Sequence, residues 1–175
     1  RLALAATLVH NPQVLFLDEP TTGQDPLLRR RLWDWFRELE REGRTLIVTT
    51  HYVGDAELCT EVSMMDRGRL VAYDAPEHLR RRAFAGDLVE ISVSRDLYAY
   101  LRSLERMPWV RGVEVRGNNR LVVVVDDAGK VLPELAAALR GQDLAPDSVR
   151  ELQPPFDDVF ERLIRQHERK EHQHS

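Results

Sequence analysis

The chain has 175 residues, 43 % of them hydrophobic, enough for one or two small packed cores. A net charge of −4 argues against a nucleic-acid-binding surface, which is normally basic. The single cysteine excludes an internal disulfide, and no apolar run approaches the ~18 residues of a membrane-spanning helix, so the composition is that of an intracellular soluble chain.

The first informative stretch is VLFLDEPTTGQDP, Val14 to Pro26. A mostly apolar run ends in two adjacent carboxylates, Asp18 and Glu19, followed by a proline and a Thr-Thr-Gly turn. A buried strand carrying two acids at its tip needs compensation, because an unpaired buried carboxylate is costly or shifts its pKa. A divalent cation and a polarised water supply it. Asp25-Pro26 then reads as a helix N-cap with a first-turn proline. An amphipathic helix follows, with Leu28, Leu32, Trp35, Phe36 and Leu39 as its apolar stripe. A second apolar run, TLIVTTH, ends at His51. Two buried parallel strands joined by a crossover helix bring these polar tips together at the carboxyl edge of a sheet, where open α/β folds bind ligands. Arg29-Arg30-Arg31 reads as a solvated helix face, and Cys59, after Ala56-Glu57-Leu58, as a small buried residue on a helix.

A second charged run, Arg80-Arg81-Arg82, reads as another solvated face, and a domain boundary falls near Phe84 to Asp87. Beyond Gly86 the periodicity changes. Val89, Ile91 and Val93 alternate as in a strand, and Leu97, Leu101 and Leu104 follow at helical spacing. Val113 and Val115 alternate again, Gly117-Asn118-Asn119 marks a tight turn, and Leu121 to Val125 forms the paired strand. Leu132, Leu135 and Leu139 mark a second helix, and Ser148 to Leu152 a last strand. The order β-α-β-β-α-β predicts a ferredoxin-like domain over residues 86–166, with no acid pair or glycine-rich loop of its own. From Gln153 a helix opens with two prolines and an acidic first turn. Phe156, Val159, Phe160, Leu163 and Ile164 form its docking stripe, and Phe160→Ala is expected to cost ~3–5 kcal/mol if that ring is fully buried. Residues 167–175, with His167, His172 and His174, read as a frayed polar tail.

LDEP, TTGQD and TTH, together with RLALAATLVHNPQ at the start and RGRLVAYDAPEHL near residue 80, resemble the second half of an ATP-binding cassette (ABC) ATPase domain. The resemblance covers residues 1 to about 82, in order and spacing. It implies the C-terminal part of a P-loop-type ABC ATPase, residues 1–85, parallel strands with a crossover helix, followed by the accessory domain and its docking helix. By the same resemblance, Asp18 would hold Mg2+ through its water shell, and Glu19 would act as general base toward the lytic water. His51 would contact the γ-phosphate of ATP, and Gly23, Gln24 and Asp25 would form the D-loop of a head-to-tail dimer. Gln24 stands where that loop commonly has leucine.

The tail PPFDDVF resembles the ATPase subunits of ABC-2-type exporters, including daunorubicin-type resistance pumps. That implies a second ATPase subunit and an ABC-2-type membrane permease as partners, with a peripheral location on the cytoplasmic face of the membrane. No G-x-x-x-x-G-K-[ST] and no LSGGQ occur in the sequence, and the chain begins with Arg1. The expectation is a piece of an exporter ATPase, inactive alone. The competing expectation is a naturally short, catalytically inactive association module.

Overall fold

The computed structural model describes residues 9–94, 97–141 and 144–173. Residues 1–8 of the opening RLALAATLVHNPQ stretch, His174 and Ser175 lie outside them. The chain divides into two compact units, Arg1–Leu58 and Cys59–Ser175.

In the first unit β1 (Val14–Asp18) and β2 (Thr45–Thr49) pair in parallel, Val14 opposite Thr45 and Asp18 opposite Thr49. The crossover between them is α1 (Pro26–Arg41). Asp25 starts it, its carboxylate accepting from Leu28 N at 3.0 Å, with proline in the first turn where a missing N–H is harmless. Among the described residues of this unit the buried large apolar side chains are Leu15, Leu17, Trp33, Phe36 and Leu39, and Trp33 meets Phe36 edge-on at 5.5 Å.

Two expectations are corrected here. The buried stripe of α1 runs through Trp33, Phe36 and Leu39, while Leu28, Leu32 and Trp35 are half-buried. The two tryptophans lie about 200° apart around the helix, so only one can face the sheet squarely. Nor are the strands buried on both faces. Phe16 is 74 % exposed, with Val14 and Ile47 beside it on the face away from Leu15 and Leu17. The alternation follows from the strand period of two with one covered face.

The second unit opens with the antiparallel pair β3 (Val62–Asp66) and β4 (Arg69–Asp74). Arg67 and Gly68, both at positive φ, make the primed turn that matches strand twist. Next comes α2 (Pro76–Phe84), closed by Ala85 in the left-handed region. The chain then forms β5 (Asp87–Ser92), α3 (Leu97–Leu104), β6 (Val110–Arg116), β7 (Arg120–Val125), α4 (Ala128–Gly141) and β8 (Ser148–Leu152). The sheet order β6-β7-β5-β8, antiparallel throughout, is the ferredoxin-like arrangement. Its core consists of Val89, Ile91, Leu121, Val123 and Val125 from the sheet with Tyr100, Leu104, Val131, Leu135 and Leu139 from the helices. On the opposite sheet face Glu90 is buried and accepts from Arg150 Nε and Nη2 at 2.9 and 2.6 Å.

The last helix, α5 (Phe156–Gln173), packs on α2. It runs through the segment expected to fray. Arg67 and Arg69 form ion pairs with Glu168 and Glu171, and the His172 ring donates to the Glu168 carbonyl, so the polar turns are held from outside and within. The second arginine run is likewise no free face. Arg80 Nε donates to the Pro154 carbonyl, and Arg81 pairs with Asp87 at 3.1 Å and donates to the Asp126 carbonyl. Cys59 sits half-buried just after a short 3-10 turn, Val53–Leu58, not on an α-helix.

Candidate functional site

The carboxyl ends of β1 and β2 lie side by side because the strands are in register to their last residues. Asp18 is paired with Thr49, whose hydroxyl donates to Asp18 Oδ1. The same Thr49 oxygen accepts from Glu19 N at 3.2 Å, and the Thr49 carbonyl from the same N at 3.1 Å. Glu19 has φ +47°, a left-handed conformation that costs a non-glycine residue about 1–2 kcal/mol. Such strain persists where the surroundings over-determine it, and it clusters at functional tips. The turn here swings the Glu19 side chain off the strand line. Its Oε2 meets His51 Nδ1 at 2.8 Å and the Thr22 hydroxyl at 2.9 Å.

The His51 hydrogen bond holds the Glu19 carboxyl below its ordinary pKa of 4.5, with Thr22 adding to it and the Asp18 charge opposing. Glu19 is therefore ionised at neutral pH. The pair is open to solvent, the His51 side chain 60 % exposed and that of Glu19 35 %. Thr22 N closes on the Glu19 carbonyl and Gln24 N on that of Thr21, so Thr21 to Gln24 make a tight turn with Gly23 at φ +70°. Asp25 ends it as the α1 cap.

Asp18, Glu19 and His51 are thus within one cluster, with Gly23, Gln24 and Asp25 on the turn beside it. Asp18, Glu19, Thr22 and Thr49 present hard oxygen donors, the set that Mg2+ prefers, and magnesium commonly binds one or two carboxylates alongside substrate phosphates and water. No group of three or more His, Cys, Asp or Glu residues able to cage a metal occurs among the described residues, the polar tail of α5 included.

Behind the cluster sit residues that periodicity alone does not reveal. Asp55 is 2 % exposed and accepts from Arg29 Nε and Nη2 at 2.9 and 2.6 Å. The Thr21 and Thr50 hydroxyls donate to its other oxygen at 3.2 and 3.3 Å. Arg29 is therefore no solvated residue, unlike Arg30 and Arg31, which are exposed. The 3-10 turn carrying Asp55 is too short for a periodic signal. The one available clue was an acid placed between Val53 and Ala56.

The description "AAA domain, putative AbiEii toxin, Type IV TA system" matches residues 1–53. The Daunorubicin resistance ATP-binding protein DrrA2 of Streptomyces coeruleorubidus is 33 % identical over 93 % of this chain and 51 % of its own length. The Nod factor export ATP-binding protein I of Burkholderia orbicola (strain AU 1054) is 37 % identical, again over 93 % of this chain and 51 % of its own. The chain is homologous to ABC transporter ATP-binding proteins. Over 47 % of its length it is also 45 % identical to the Probable multidrug ABC transporter ATP-binding protein YbhF of Escherichia coli (strain K12), covering 14 % of that protein. A solved structure of cbiO1 from Clostridium perfringens, described as part of the ABC transporter complex cbiONQ, covers 61 % of this chain and 38 % of its own at 29 % identity and TM-score 0.42. The chain spans about half the length of the daunorubicin resistance and Nod factor export relatives, each of which it matches over 93 % of its own residues. No helix among its described residues is long and apolar enough to cross a membrane.

Proposed function

We propose that this chain carries the hydrolytic half of an ABC ATPase subunit, in which ATP hydrolysed at a head-to-tail dimer interface drives an exporter. The observation that carries the reading is the Glu19–His51 contact beside Asp18 at the tip of two parallel strands. Homology to the drug-resistance and Nod factor export ATP-binding proteins supports it.

In this reading Asp18 holds Mg2+ through its water shell, and the metal, when bound, supplies neutralisation of the phosphate charge. Glu19, ionised and fixed by Thr22 and His51, accepts the proton of the attacking water. His51 uses Nδ1 for Glu19, and as the imidazolium, with both ring nitrogens protonated, it would donate from Nε2 to a γ-phosphate oxygen. The turn Gly23-Gln24-Asp25 meets the second ATPase subunit, and Asp25, already the cap of α1, keeps that turn attached to the helix. Residues 1–85 form the ATPase portion, 86–166 the accessory domain and 167–175 a polar tail. The membrane partner is an ABC-2-type permease, and the subunit works from the cytoplasmic face with membrane contact through that permease alone. The phosphate-cradling loop comes from outside this sequence, which has no G-x-x-x-x-G-K-[ST].

The test is Glu19→Gln in the full reading frame that encodes this chain. ATP binding should persist, while turnover falls on the order of 100- to 10,000-fold, the usual worth of a positioned base. Wild-type turnover in that variant removes Glu19 from the role. A wild-type protein that binds no nucleotide leaves the association-module reading in its place.

A further inference from the structure

The proposed hydrolysis gives no part to the most deeply buried carboxylate in the first unit. Asp55 gathers donors from three separate segments. Thr21 belongs to the turn after the two acids, Arg29 to the first turn of α1, and Thr50 directly precedes His51. A buried carboxylate is retained when charged and well-aligned donors compensate its lost hydration, and here a guanidinium fork and two hydroxyls do so. Arg29 is used twice. Its guanidinium also lies 4.0 Å from the centroid of the Tyr52 ring. That ring in turn stacks on the His51 imidazole, centroids 4.3 Å apart and planes tilted 31°. Tyr52 N is tied to the Thr50 hydroxyl at 3.0 Å, which fixes the backbone that carries the ring.

We propose that Asp55, Arg29 and Tyr52 are positioning residues that fix the plane of the His51 imidazole against Glu19. Asp55 locks the Arg29 fork, the fork pins the Tyr52 ring, and the ring backs the imidazole. Because the same carboxylate binds Thr21, displacement of the Thr21–Asp25 turn is felt at His51 through one buried group. A partner subunit pressing on that turn would therefore move the histidine as well. The kinetic consequence rests on the ATPase reading; the geometric one does not. A pair that served stability alone would lower the melting temperature when broken and leave the imidazole where it is.

The first arm of the test uses this 175-residue chain without nucleotide. Arg29→Lys keeps a positive charge beside Asp55 but loses the planar fork and the stack on Tyr52. The His51 ring signals in a 1H–13C NMR spectrum, shielded by Tyr52, should move toward those of a solvated histidine while circular dichroism stays native. Unchanged ring signals in a folded variant overturn the proposal. Should Arg29→Lys not fold, Thr21→Val removes one donor to Asp55 from a turn remote in sequence from His51. The same shift is expected there, and its absence is equally fatal. Tyr52→Phe keeps the ring and should keep the signals near their native positions; a large shift would place the restraint in the hydroxyl and not in the stack. The second arm is kinetic, in the full reading frame. Arg29→Lys should lower kcat on the order of 10- to 100-fold with KM within about twofold, as expected when a reacting group is misplaced by a fraction of an ångström to an ångström. A raised KM with unchanged kcat refutes positioning. Wild-type turnover in Glu19→Gln would instead sink the ATPase reading and leave the NMR result standing.

Discussion

Replacing Phe156 by alanine should unseat the closing helix. Phe156 is 1 % exposed, and with Val159 and Leu163 it forms the seam by which α5 rests on α2, where Leu79 and Ala83 are buried. The Arg80 guanidinium lies 5.9 Å from the ring centroid, and the same arginine holds the Pro154 carbonyl, so the ring has packing on several sides. A phenylalanine buries roughly 150–250 Å2, which at about 25 cal/mol per Å2 corresponds to ~4–6 kcal/mol. Compactness of the unfolded chain reduces this by roughly a quarter, to ~3–4.5 kcal/mol, within the range of ~3–5 kcal/mol measured for such truncations. In a unit of this size each kcal/mol shifts the melting temperature by about 4 °C, so a fall of ~12–18 °C is expected. Phe160, named from the sequence as the anchor, is only half-buried and should cost ~1–2 kcal/mol. Thermal melts by circular dichroism, with urea midpoints as a check, measure both. A loss below ~1 kcal/mol for Phe156→Ala, or a larger loss for Phe160→Ala, would refute the assignment of the seam.

Gly86 has φ +151°, and a Cβ there would stand 2.4 Å from the Val125 carbonyl oxygen, so Gly86→Ala should cost about 2 kcal/mol or more at the α2–β5 junction. A melt indistinguishable from wild type would show that the junction gives way freely. Arg150→Ala strips the forked donor from Glu90, whose side chain is 8 % exposed, leaving Arg120 at 3.8 Å as a weaker partner; the expected loss is ~1–3 kcal/mol by urea unfolding. Asp126 is held below its ordinary pKa of 3.8 chiefly by its hydrogen bond from Arg111. A depressed folded-state pKa gives stability that is present above about pH 3.8 and lost as pH falls through the lower folded value. Asp126→Asn should therefore narrow the gap between neutral and acid unfolding midpoints, and an unchanged gap would contradict the linkage.

Much of this architecture was legible because its signals are local and periodic. VLFLD became a strand ending at Asp18, as read, while TLIVT stops at Thr49, two residues short of the histidine read as its tip. The ferredoxin-like part has its strands where they were expected, SVREL among them, although β5 and β7 are buried on both faces and not in alternation. The misses share a physical cause. Which of Trp33 and Trp35 faces the sheet depends on the rotation of α1 about its own axis, and a broad apolar stripe leaves that rotation open by a residue. Arg29, Arg80 and Arg81 looked like solvated charges because a run of like charges carries no record of distant acceptors such as Asp55, Asp87 or Pro154 O. The polar end of α5 is helical through ion pairs from the β3–β4 hairpin, a hundred residues away in the chain, and no window of sequence contains both partners.

The candidate site escaped the sequence in a different way. The acids and the histidine were visible as residues, but their mutual arrangement depends on backbone strain and on a buried charge. Glu19 stays at φ +47° because Thr49 takes its N–H, while Thr22 and His51 hold its carboxylate. Each of those partners is itself fixed by register, by the turn, or by the residues around Asp55. The strain is thus offset by contacts that all lie between Asp18 and Asp55, within one compact unit. That economy has a consequence for how the site would respond to a bound phosphate. Any oxygen that draws His51 away from Glu19 also removes one of the contacts holding the left-handed turn. The position of the carboxylate and the position of the imidazole would then change together, through a region small enough for a single buried aspartate to coordinate both.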